Sequence, residues 1–337
     1  MSAAATAGPA VPPARKMLTV ILLVPAVVAL ALWAFAWPTA RIAPRDLPVG
    51  VAGPAAATAP LRHQLAEREG AFDVHRYADE SAARAAVEDR EVYGAVVVTA
   101  RGPKLLTATA ASPAVAQLLQ EAVSHQAPPG TEPRTDDVVA APASDPRGAA
   151  LGSSLLPLSL AGVAAGAVVT LLGLRGLRAV AALTGASFLA GLVVTAIAHT
   201  WLSVITGPWW LEAGALSLTV LAVSAAVAGC AALLGRAGIG VGALLIVLLG
   251  NPWSGVTSAP HLLPEPAGLV GQWLPPGAGG TLLRSVAFFD GHGAAAATTT
   301  LALWAAVGLS AVALRRHRDR RDAGVSELRR PAPAPAA

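Results

Sequence analysis

Charge is what this sequence has least of. Of its 337 residues only 13% are Asp, Glu, Lys or Arg, about half the ~25% of a soluble domain. With 54% hydrophobic residues and a mean hydropathy of +0.58, the chain cannot build a fully water-facing surface. That excludes an ordinary soluble enzyme and a disordered regulator. Cysteine is scarcer still. Cys230 stands alone in an apolar run, so a disulfide scaffold is excluded. Lysine occurs only as Lys16 and Lys104, and neither sits in a G-x-x-x-x-G-K-[ST] loop, so no phosphate-cradling motif is present. The other basic residues are arginines, which together with the abundant Ala, Gly and Pro points to a GC-rich genome. No H-E-x-x-H helix occurs, and His63, His75 and His125 lack ligand spacing. Ser254 and His261 lack the context of an activated nucleophile. No enzyme activity, cofactor or metal is expected of this chain.

What is present is a set of long apolar runs. A bilayer core takes about 20 apolar residues per helix. Six candidate spans stand out, at 17–37, 151–174, 179–200, 213–234, 237–256 and 294–314. The fifth is weak, since its uninterrupted apolar part covers only 237–250, so it runs on into Asn251-Pro252-Trp253, tilts, or ends inside the protein. Arg15, Lys16, Arg175, Arg178, Arg236 and the run from Arg315 to Arg321 then fall on one side. This positive-inside pattern places the 1–16 tail and the basic 315–337 tail in the cytoplasm. The expected location is the plasma membrane, multi-pass. The basic tail reads as a topology anchor that meets anionic lipid, and nucleic acid is not needed to explain it. Most tryptophans fall at the opposite ends of the spans, as an aromatic belt would. Ala34-Phe35-Ala36 resembles a signal-peptide cleavage site, but the apolar stretch is longer than a signal core, so the first span is read as retained. His199, near the end of the third span, is read as wet. Intramembrane ionisable groups are nearly absent, which argues against an ion-coupled carrier.

Residues 38–150 form an extracytoplasmic α/β domain in this reading. The order is β-α-β-α-β-β-α-β. Strands are expected at Leu47–Ala52, Phe72–Tyr77, Val92–Thr99, Leu105–Ala110 and around Val138-Val139. Asp79 is a candidate N-cap, with Glu80/Arg84 and Arg84/Glu88 pairs after it, and Ser112-Pro113 opens another helix. Asp136-Asp137 reads as a solvated turn. Asp145-Pro146-Arg147-Gly148 leads into the second span, as a turn with a surface ion pair or as a hinge between domain and bundle.

The segment 251–293 carries the strongest conflict of signals. Pro252, Pro260, Pro264, Pro266, Pro275 and Pro276 forbid a continuous helix, yet the segment stays apolar. Irregular backbone at membrane depth is tolerated only when buried in protein or lining a cavity. A re-entrant or interfacial element at 257–293 is therefore expected, with Arg284 at the interface near Asp290, Glu265 or a helix C-terminus. The candidate structural or transport residues are Asp145, Arg147, Asn251, Pro252, Pro275, Pro276 and Arg284. Gly162-x-x-x-Gly166 and Gly238-x-x-x-Gly242 allow close helix approach.

The assembled pattern resembles the membrane subunits of type-2 ABC exporters, and more closely the actinobacterial YhgE/Pip branch. The residues that carry the likeness are Leu47-Pro48-Val49, Arg90-Glu91-Val92-Tyr93-Gly94-Ala95, Asp145-Pro146-Arg147-Gly148, Gly250-Asn251-Pro252-Trp253-Ser254-Gly255, Leu274-Pro275-Pro276-Gly277 and Leu283-Arg284-Ser285. The resemblance implies a permease-like subunit, working as a homodimer in the bilayer and powered by a separate ATP-binding chain. The alternative from another class is a non-transporting envelope receptor, phage-attachment or scaffold protein acting through its outer domain.

Overall fold

The computed structural model describes residues 13–100, 102–126 and 134–328. Of the expected tails, 1–16 and 315–337, residues 1–12 and 329–337 and the side chains of Arg15, Lys16 and the arginines after 314 lie outside what is described. The chain is mostly helical, with one mixed sheet. Among the described residues five helices are long and apolar enough to cross a membrane, which fits a membrane protein. They belong to α1 (Pro13–Ala40), α5 (Ala149–Leu171), α6 (Leu177–Thr195, continued by a π-helical turn Ala196–Trp201), α7 (Trp209–Leu234) and α11 (Ala294–Leu328).

The expected fifth span departs from its sequence bounds. α8 (Ala237–Leu244) continues as a π-helical segment, Leu245–Gly250, and stops there. Its 14 residues rise roughly 21 Å at ~1.5 Å each. It does not run on to residue 256. Pro252 has no N–H to continue the ladder, and the chain turns, with Ser254 N–H donating to the Asn251 carbonyl at 3.2 Å.

Helix α7 is the hub of the bundle. Its sequence is rich in Ala, Gly and Ser, so neighbouring backbones can come close. Gly162 and Gly166 of α5 lie against Val223 and against Ser224 and Val227 of α7. Gly242 of α8 faces Val227, and Gly229 of α7 meets Gly308 of α11. A Cβ on Gly166 would stand 2.6 Å from the Ser224 carbonyl oxygen. The two small-residue motifs read from the sequence are thus used inside one chain.

All strands of the sheet come from between α1 and α5. They are β1 (Leu47–Ala52), β2 (Phe72–Tyr77), β3 (Gly94–Thr99), β4 (Gly102–Thr107) and β5 (Arg134–Asp137), in the order β2-β1-β3-β4-β5. Only the β3–β4 hairpin is antiparallel. Helices α2 (Ala55–Ala66), α3 (Glu80–Glu88) and α4 (Pro113–Gln126) make the connections, giving the element order expected from the sequence. Asp79 caps α3 by accepting from Ala82 N–H at 2.9 Å, and Ser112 Oγ accepts from Val115 N–H at the start of α4.

Two local expectations are corrected. The last strand is the polar Arg134–Asp137, not Val138-Val139. Asp136 is not a solvated turn residue. It pairs with Arg84 and with Lys104 Nζ at 3.2 Å, which draws β5 onto β4 and holds its carboxyl below the usual carboxylate range.

Side-chain alternation gives the sheet two buried faces. Ala52, Ala95, Val97 and Leu106 pack with Ala83, Ala86 and Val87 of α3 on one side. Leu47, Val49 and Leu105 pack with Val115, Leu119 and Val123 of α4 on the other. Each face is completed by residues from far along the chain: Phe289 on the first, Ala259 and Leu262 on the second. The sheet domain and the segment before α11 therefore share one core.

Candidate functional site

That shared core positions a polar interior. After the turn at residues 251–254 the chain passes a 3₁₀ turn (Pro260–Leu262), then α9 (Ala267–Trp273) and α10 (Pro275–Phe288). Pro275 and Pro276 occupy the first turn of α10, where the missing N–H costs nothing. Pro276 lies against Gly250, where a Cβ would come within 2.8 Å of its ring. Twelve residues of α10, from Pro275 to Ala287, are buried. The segment is a broken, buried hairpin and not a solvated loop. Leu269 and Trp273 are its outward-facing apolar side chains.

The sheet domain is bonded to this hairpin through Arg90, which follows α3 in the left-handed region at φ 62°. A non-glycine residue adopts this conformation at a cost. Here it ends α3 and turns the side chain toward α10. Arg90 Nη1 donates to Ser285 Oγ at 2.5 Å and to the Thr281 carbonyl at 3.2 Å, and its guanidinium lies 5.0 Å over the Phe289 ring. Three residues on, the Tyr93 ring meets His261 edge-on at 5.6 Å, with its hydroxyl 3.4 Å from Nδ1. Ser112 Oγ donates to the Ser258 carbonyl at 2.5 Å. Arg45 Nη1 donates to the Leu262 carbonyl at 3.1 Å, which ties in the end of α1. Gln272 links the two arms, donating to the Ser254 carbonyl at 2.8 Å and accepting from Thr281 Oγ1 at 2.6 Å.

Burial shifts the groups of this junction. It holds the Arg90 guanidinium below its ordinary value, against the opposing pull of Tyr93. It pushes the Tyr93 phenol up, opposed by Arg90 and Arg284. It pushes the His261 imidazole down, opposed by Asp46 and Asp73.

Arg284 is the main correction to the sequence reading. Among the described residues it is not paired with Asp290 or Glu265. It is only 6% exposed, on α10 among the junction residues, and its Nη2 donates to the Val256 carbonyl at 2.5 Å. Arg284 and Arg90 are close enough to repel each other. Among the described residues neither guanidinium is paired with a carboxylate. A cavity of about 230 Å³ lies between them, Tyr93, His261 and Gln272.

The other expected site residues are not gathered there. Asp145 is buried and its carboxylate accepts from Leu151 N–H at 3.1 Å, capping α5. Arg147 is exposed and makes no surface ion pair with it. Asn251 Nδ2 donates to the Ile246 carbonyl at 3.1 Å, and its Oδ1 accepts from Ser159 Oγ at 3.2 Å. Asn251 and Pro252 thus end the α8 segment against α5. Ser254 Oγ donates to the Asn251 carbonyl, so it is not paired with His261.

A second polar pair was hidden from sequence reasoning. Glu212 is fully buried in the first turn of α7. Its carboxylate accepts from Gly207 N–H at 2.7 Å and faces His199 Nδ1 at 2.7 Å. His199, read as wet, is part-exposed and is also the partner of a buried acid. The tryptophans also divide. Trp201, Trp210 and Trp273 are exposed as a belt would be, but Trp253 is buried against Trp33 and Trp37 at 5.8 and 6.2 Å. Among the described residues no group of three or more His, Cys, Asp or Glu converges to hold a metal ion. No family model, curated protein or solved structure matches this chain.

Proposed function

We propose that this chain is a permease-like subunit of an ABC-type export system, moving its substrate outward with a separate ATP-binding chain. In this reading α1, α5, α6, α7, the short α8 and α11 are six spans of a plasma-membrane protein. Both termini are cytoplasmic and the sheet domain is extracytoplasmic. The positive-inside rule supports the orientation, with Arg175, Arg178 and Arg236 near the inner connections. The observation that carries the proposal is the buried, proline-broken hairpin of α9 and α10 directly before the last apolar helix. It packs on α7 and α11 and shares its core with the sheet domain. The α5–α6 connection, residues 172–176, is short for an element that would contact an ATPase. Arg175 and Arg236 flank a cavity of about 200 Å³ between the inner connections, where such a chain would press. The two small-residue motifs are occupied within the chain, so a homodimer would form through other faces.

Affinity purification of the full-length chain from its own cells tests this. An ATP-binding subunit should co-purify and its hydrolysis should depend on this chain. Copies bearing a tag near residue 5 or 330 should be protected in intact cells, and a cysteine near residue 130 labelled from outside. A second reading, an envelope receptor or scaffold, is favoured by a separate cavity of about 270 Å³ in the sheet domain. Val49, Leu65, Phe72, Leu105 and Leu119 line it. Ligand binding by the sheet domain with no ATPase partner would favour that reading.

A further inference from the structure

We infer that the cavity between Arg90 and Arg284 binds a phosphate-type oxyanion, presented either by a free phosphate or by a phosphomonoester lipid headgroup. The argument begins with a charge imbalance. Buried cations are ordinarily paired with acids, because taking a lone charge out of water is costly. Here two guanidiniums from different parts of the chain converge, and both are satisfied only by neutral acceptors: Ser285 Oγ, the Thr281 carbonyl and the Val256 carbonyl.

The acids nearby are engaged elsewhere. Asp89 faces His292 at 3.0 Å, Asp145 caps α5, and Glu91 accepts from Tyr77 Oη at 3.3 Å. An arginine has five N–H donors in a rigid fork, so donors remain on both sides for a bound oxyanion. Arg forks match phosphate geometry and form stronger, charge-assisted bonds there. Tyr93 adds a hydroxyl, and Gln272 and His261 add polar edges to the wall. The mouth lies beside Glu91 and Gly293, which are exposed. Val87, Val92 and Pro260 make part of the wall apolar, and the Phe289 ring lies against the Arg90 guanidinium. A bound anion would relieve the repulsion between the two arginines and fasten the sheet domain to α10. This inference does not depend on transport and holds for either functional reading.

The test uses the full-length protein in phosphatidylcholine nanodiscs, with thermal unfolding and titration calorimetry as readouts. One arm adds inorganic phosphate; the other builds phosphatidic acid into the disc. Saturable stabilisation by either arm is expected, and the arm that acts names the source. Arg284→Gln retains a donor for the Val256 carbonyl and removes one charge. It should weaken anion binding at least tenfold while the protein still unfolds cooperatively. Arg90→Gln should do the same. Glu91→Gln removes a negative charge at the mouth and should tighten binding severalfold, a gain that misfolding cannot mimic. No saturable response in either arm overturns the inference. So does a response that Arg284→Gln and Glu91→Gln leave unchanged.

Discussion

Helices α1 and α7 have similar hydropathy and opposite fates. Only 6% of the apolar stretch of α1 is buried within the protein, against 67% of that of α7. Hydropathy tells which segments leave water; it does not tell which segments leave lipid. The difference lies in side-chain size. α1 presents Leu, Val, Ile and Trp, which in hydrocarbon gain little by exchanging lipid for protein. α7 presents Ala, Gly and Ser, whose small profile lets five other helices approach its backbone. Helix packing in this protein therefore follows the small residues.

The largest expected effect breaks that rule where two glycines meet. Gly229 of α7 meets the Gly308 backbone, where a Cβ would come within 2.9 Å. Gly229→Leu should destabilise the bundle by about 3 kcal/mol or more through overpacking, read as lost cooperative unfolding in detergent. Next comes the junction. Arg90→Ala removes two hydrogen bonds and leaves Ser285 without its donor, at a cost of about 2 kcal/mol. Proteolysis of the linkers around the sheet domain should accelerate while the helix bundle persists. At the other extreme, Leu22→Ala in α1 should stay within about 0.5 kcal/mol, because Leu22 is 62% exposed to whatever surrounds the helix. A loss comparable to Gly229→Leu would mean that α1 packs on a partner.

The smallest effect is a pH dependence at the junction. Burial lowers the folded-state value of His261 below its ordinary 6.5, so protonation opposes folding. Its contribution is full above 6.5 and is lost as pH falls through 6.5 toward the lower folded value. Unfolding temperatures measured from pH 7.5 to 5 should drop less steeply for His261→Gln than for the unmodified chain.

These same contrasts explain what was legible in the sequence. The strands of the sheet alternate, and Asp79 and Ser112-Pro113 punctuate its helices, so its order could be read from local pattern. β5 could not, because Arg134–Asp137 has no apolar alternation and is held by Arg84 and Lys104 from elsewhere. The long spans were visible as composition, but the stop at Gly250 after α8 is set by Asn251 reaching Ser159 on α5 as well as by Pro252. The site was the least legible part. Arg90 and Arg284 are 194 positions apart, and nothing local to either says that they meet. From the sequence Arg284 reads as an interfacial residue near Asp290, Glu265 or a helix C-terminus. The structure instead places it beside a second cation, and Glu212 beside His199, pairings that only the tertiary fold creates.

Cysteine accessibility scanning across residues 260–285 tests the central claim most directly, that this segment is a buried hairpin shared by bundle and sheet domain. In membranes, cysteines at 262, 278 and 283 should resist a water-soluble maleimide, since Leu262, Ala278 and Leu283 are at most 4% exposed, while one at 269 or 273 should behave differently, Leu269 and Trp273 being 60% and 61% exposed. Alternating protection along the segment is the predicted result. Uniform, rapid labelling at every position would make it an ordinary solvated loop and contradict the account.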